Sequence, residues 1–130
     1  MSVGHIATLV LEGILGLFSA YAAYSLFTST PPSIAQARAA LRYPRWYWVL
    51  AGCVATVGAV GLLVGLAIPT LGAIASVWMV AYFIVATLTH LSRGDVKNLG
   101  MPLLFLAIFI GLVALHWPDV NTVVTALSAK

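Results

Sequence analysis

The chain has 130 residues, of which 62% are hydrophobic and only 7% charged, with a formal net charge of +3. Soluble domains carry about 25% charged residues, so this much apolar surface needs a bilayer as its solvent. The single cysteine, Cys53, excludes an intrachain disulfide and a CxxC redox pair. The six basic residues, set close against apolar runs, exclude a nucleic-acid-binding surface.

A bilayer core is crossed by about 20 apolar helical residues. Segments near Gly4–Phe27, Trp46–Ile68, Leu71–Leu91 and Leu99–Trp117 all qualify. The prediction is therefore an all-α fold in one domain over residues 1–130, an integral membrane four-helix bundle with short loops. The N-terminal stretch MSVGHIATLV has no basic region and no A-x-A site, and reads as the start of the first span rather than a cleaved signal.

The first span, with LVLEGILGLFSAYAAYSLF at its centre, carries one carboxylate, Glu12. It lies about 10 Å along the helix from the outer end, where a charge facing lipid costs about 2.5–3.5 kcal/mol. His5, Thr8, Glu12, Gly16 and Ser19 share one helical stripe, while Ile6, Val10, Ile14, Leu17 and Tyr21 lie away from it. The polar stripe is expected to face the bundle. With no cation predicted beside it, Glu12 is expected as a neutral acid donating a hydrogen bond. It serves as a ligand anchor or proton acceptor on one reading, and on the other as an interhelical clamp worth about 1 kcal/mol.

The loop STPPSIAQARAALRYP pairs Ser33 with Gln36 in a capping box and ends at Pro44. Ile34, Ala37 and Leu41 share a face flanked by Arg38 and Arg42. That pattern predicts a short interfacial helix between the first two spans, with Arg38, Arg42 and Arg45 as membrane-surface basic residues. A plain connector whose arginines fix topology is the alternative.

In the second span, AGCVATVGAVGLLVGL places small residues at Ala51, Ala55, Ala59, Gly61 and Gly65, suited to tight packing within the bundle or to a homodimer seam. Cys53 reads as a small packing residue. Pro69 makes the second and third spans an antiparallel hairpin. The third ends in VATLTHLSRGD, which sets Thr87 and His90 at the inner interface, too far from Glu12 along the membrane normal to pair with it. The Arg93-Gly94-Asp95 tripeptide reads as a turn glycine flanked by a local charge pair.

Arg38, Arg42, Arg45, Arg93 and Lys97 fall in loops on one side and Lys130 alone on the other. The positive-inside rule places both termini outside. His5 and His116 then share the outer interface. Two histidines at one level could hold haem or a metal, but with no HxxxH, no ExxH and no second pair, no metal site is expected. No phosphate loop, metalloprotease motif or serine elbow occurs.

The segments RYPRWYWVLAG, VGAVGLLVGLAIPTLGAIAS, AYFIVATLTHLSRGD and NLGMPLLFLAIFIGLVAL resemble the DoxX-like family over roughly residues 40–115. The first span departs from the pattern, ending in AAYSLF where members commonly show glycine and lysine. The resemblance implies a left-handed four-helix bundle in a bacterial inner membrane, in a group that includes companions of quinone-linked thiosulfate oxidation. It supplies no catalytic motif that can be placed on this chain.

The first functional expectation is a non-catalytic accessory or assembly subunit, serving a membrane partner protein such as a redox complex. The alternative is a bundle-interior site for a quinone, isoprenoid or other lipid, with isomerase or oxidoreductase activity open. In that site Glu12 is the anchor, and Tyr21, Tyr24, Trp78 and Tyr82 are the walls.

Overall fold

The computed structural model describes residues 3–28, 39 and 41–129, with Asn98 by its backbone alone. It is built from α1 (Val3–Thr28), α2 (Arg45–Val64), α3 (Pro69–Ser92), a 3-10 turn (Val96–Asn98), α4 (Gly100–Leu115) and α5 (Trp117–Ser128). There is no strand among the described residues. The fold is all-α, as the composition predicts.

Three helices, α1, α2 and α3, are each long and apolar enough to cross a membrane. The fourth element differs from the straight span expected over Leu99–Trp117. With 16 residues, α4 reaches about 24 Å at 1.5 Å per residue, short of a hydrocarbon core of about 30 Å. It qualifies only together with α5, from which it is bent by 75°. The cause lies in the sequence His116-Trp117-Pro118. Pro118 has no amide hydrogen to continue the ladder of α4, but suits the first turn of a new helix, and it stands there in α5.

The hairpin turn falls between Val64 and Pro69, longer than the two residues expected between Ile68 and Leu71. α2 stops at Val64, and Gly65, with its amide on the Gly61 carbonyl, closes its last turn. Ile68 is extended and Pro69 opens α3, again in the position where proline loses nothing.

Consecutive helices are neighbours, α1 on α2, α2 on α3 and α3 on α4; α1 also meets α4, and α5 folds back onto α3. The core joins Leu15, Leu62, Ala75, Met79, Phe83, Phe109 and Leu112. Through it runs a stack of rings, Phe18–Phe105–Phe83–Phe109, with centroids 4.3, 5.6 and 5.5 Å apart. Several small residues of α2 pack within the chain. Ala55 and Ala59 are buried, a methyl on Gly61 would lie 2.8 Å from the Ala75 Cβ, and one on Gly52 would meet the Phe27 ring at 2.8 Å.

The C-terminus of α1, the N-terminus of α2 and the turn between α3 and α4 lie at the end opposite the hairpin, with Arg42, Arg45, Arg93 and Lys97; this is the basic end. Ser33, Ile34, Gln36, Ala37 and Arg38 of the expected interfacial helix lie outside the described residues. Ala39 and Leu41 are helical and Leu41 is buried. Arg42 then takes a left-handed φ of 57°, uncommon for a non-glycine residue, as the chain turns toward Pro44. In the second loop Gly94 has φ 69°. The expected Arg93–Asp95 pairing is replaced by two other contacts. The Arg93 guanidinium stacks over Tyr43 at 4.4 Å, and Asp95 Oδ2 turns back to His90 Nδ1 at 2.9 Å.

Candidate functional site

The inward stripe of α1 carries Glu12 to the hairpin end, where it is fully buried. Its Oε2 lies 3.1 Å from His116 Nε2. His116 is itself 4% exposed, and its other nitrogen, Nδ1, lies 3.4 Å from Asp119 Oδ2 on α5. Oε1 of Glu12 has no hydrogen-bond partner among the described residues. It is seated between Gly65 and Gly72, and a Cβ at either glycine would overlap it. Those two glycines leave room for a carboxyl between α1 and the hairpin. Beside the pair lies a cavity of about 340 Å³ lined by His5, Thr8, Glu12, His116 and Asp119, with Leu9, Leu115 and the hairpin residues Gly65 and Pro69.

The expectation of an acid without a cationic or basic partner is corrected here. His116 was expected at the membrane interface, about 10 Å above Glu12. Because α4 ends at Leu115 and the chain bends, the imidazole instead sits at the level of the acid. The exchange of contacts suits the chemistry of the groups. An imidazole can donate from one nitrogen and accept at the other, so one ring bridges two carboxyl groups. The two nitrogens of His116, which was weighed with His5 for haem ligation, face these two carboxyl groups. His5 lies on the cavity wall.

A second cavity, of about 370 Å³, opens at the basic end between α1, α2 and α3. Trp48, Trp78 and Tyr82 wall it, with Leu26, Leu50, Val54 and Val85 among its aliphatic lining. Tyr47, Thr89 and His90 also line it. The Thr89 hydroxyl donates to the Val85 carbonyl at 2.8 Å, so Tyr47 donates its phenol hydrogen to Thr89 Oγ1. Trp78 Nε1 donates to the Val54 carbonyl at 2.9 Å, pinning α3 to α2. This chamber is apolar through most of its wall and hydrogen-bonding at one end.

The residues expected to form one interior site therefore fall in three places. Glu12 belongs to the hairpin-end cavity, and Trp78 and Tyr82 to the chamber. Ten residues separate Gly72 from Tyr82 along α3, about 15 Å, so Glu12 does not reach those aromatic walls. Tyr21 and Tyr24 are corrected outright: they are 54% and 57% exposed on the outside of α1 and line neither cavity. The reason is the helical stripe itself, because both lie off the row that ends in Ser19. Thr87 is spent on the Phe83 carbonyl at 2.8 Å. Among the membrane-surface arginines, Arg42 and Arg45 are exposed at the basic end, and Arg38 lies outside the described residues.

The sequence reading missed the Glu12–His116 pair, Asp119, Tyr47 and Thr89. A signal for the first was present: the apolar run from Gly100 is short, and His-Trp-Pro marks its stop.

The family model described as the DoxX-like family matches residues 10–112. That stretch runs from the second turn of α1 into the last turn of α4, so it contains Glu12 and the chamber residues and stops before His116 and Asp119. No curated protein and no solved structure matches the chain.

Proposed function

The chain belongs to the DoxX-like family, and from that premise we propose that it holds a lipid-soluble small molecule in the aromatic chamber of its multi-pass bundle. One observation carries this: a space of about 370 Å³ walled by Trp48, Trp78 and Tyr82, with Tyr47, Thr89 and His90 also on its lining. Apolar walls with a few polar groups are the usual form of a ligand site. The walls suit a prenyl or acyl body, and the polar groups suit a carbonyl or hydroxyl head. A quinone, an isoprenoid or another lipid meets that description.

In this reading α4 and α5 together count as the fourth span of a protein in a bacterial inner membrane. The basic end faces the cytoplasm, the side that the arginines of its loops favour. Lipid analysis of protein purified in mild detergent tests the proposal. The wild type is expected to retain a defined species above bulk lipid, and Ala81→Phe, which fills the chamber from α3, is expected to lose it. Equal retention by both proteins contradicts the reading.

The accessory-subunit reading stands second, favoured by Tyr21. This phenol is 54% exposed on α1 and lies seven residues before Thr28, about 10 Å into the span. A hydroxyl at that depth gains from an acceptor that lipid tails do not offer, and a partner helix would provide one. A photo-crosslinker placed at position 21 in cells is expected to capture one membrane protein. Recovery of lipid adducts alone removes this reading.

A further inference from the structure

We infer that Asp119, His116 and Glu12 form a proton-exchange path from the surface of α5 to the carboxyl buried inside the bundle. The inference is independent of the chamber, which lies at the other end. Three observations meet here. The imidazole bridges two carboxyl groups, at 3.1 Å to Glu12 and 3.4 Å to Asp119. The accessibility is graded along the chain, with side-chain exposure of 38% at Asp119, 6% at His116 and zero at Glu12. A cavity of about 340 Å³ touches all three side chains, room for several waters at about 30 Å³ each.

The step balances with protons alone. In the proton-poor form both carboxyl groups are ionised, and the neutral ring donates its Nε2 hydrogen to Glu12 Oε2. A proton arriving from water at Asp119 Oδ2 passes to Nδ1, and the Nε2 hydrogen moves onto Glu12 Oε2. The ring is neutral again, now donating from Nδ1 to Asp119, and one proton has travelled inward. The reverse sequence releases it. At 3.4 Å the Asp119 contact exceeds the usual limit of about 3.2 Å, which makes it the slower leg.

Among the described residues of the packed elements, the groups facing the Glu12 cavity offer one further titratable side chain. The hairpin contributes Gly65, Pro69 and Gly72, which do not titrate. The only other titratable side chain on the cavity wall is His5, on α1. A structural clamp needs no exchange through Asp119, so the exchange rate is what separates the two readings.

The test follows hydrogen–deuterium exchange at the Glu12 carboxyl by infrared spectroscopy, in nanodiscs of phosphatidylcholine. The Glu12 band is the one that Glu12→Gln removes. Asp119→Asn is expected to slow its exchange on the order of a hundredfold, the usual worth of a positioned acid–base group. Asp119→Glu is expected to restore the rate, and the melting temperatures of both variants to match the wild type. An unchanged rate in Asp119→Asn overturns the inference. So does a wild-type Glu12 that exchanges only when the protein unfolds. Because Asp119 is partly exposed, neither variant depends on rebuilding the core.

Discussion

At the hairpin end, α2 and α3 approach until Gly65 and Gly72 meet backbone to backbone, leaving a slot for one oxygen of Glu12. At the basic end the same two helices carry Tyr47, Trp48, Trp78 and Tyr82, and the space between them opens into a chamber. Side-chain size along a single helix pair thus decides where a bundle closes and where it admits a guest. The small residues give a polar, closely fitted site centred on a buried acid. The large ones give an apolar site with its hydrogen-bonding groups supplied by Tyr47, Thr89 and His90.

This contrast can be broken most forcefully at His116. His116→Ala leaves Glu12 buried without its partner and is expected to destabilise the protein by about 3–5 kcal/mol, read from denaturation in mixed micelles. A loss under 1 kcal/mol would show that the acid finds water or lipid headgroups instead. Next comes Gly65→Ala, whose methyl would run into the Gly72 backbone, which cannot rotate away. The expected cost is about 1–3 kcal/mol, whereas Gly100→Ala, with open space around it, should stay within about 0.5 kcal/mol. Equal effects at the two glycines would deny that the helices touch at 65 and 72. The smallest effect sharpens the chamber. Tyr47→Phe removes the hydrogen bond to Thr89 and should cost about 0.6 kcal/mol, the average for such bonds between helices in membranes. Retention of the bound lipid-soluble species should fall with it.

Much of the architecture was legible because it follows from composition and period. The stripe of His5, Thr8, Glu12, Gly16 and Ser19 predicted an inward acid, and Thr8, Glu12, Gly16 and Ser19 are indeed buried. The opposite row, Ile6, Val10, Ile14, Leu17 and Tyr21, is exposed. The partner of Glu12 was not legible in the same way. Finding it required the depth at which α4 stops, and that depth is set by a proline in the following helix rather than by any property of α1. The grouping of Glu12 with Trp78 and Tyr82 failed for a related reason. Residues on inward faces share a bundle interior, but their height along the axis depends on where the hairpin turns, and a shift of ten residues separates two sites.

The hairpin-end site rests on direct coupling between Glu12 and His116, and a double-mutant cycle measures it. Stabilities of the wild type, Glu12→Gln, His116→Gln and the double variant are expected to give a coupling on the order of 2 kcal/mol, within the range for residues in contact. Additive effects of the two substitutions would contradict the pairing, and with it the proton path through His116.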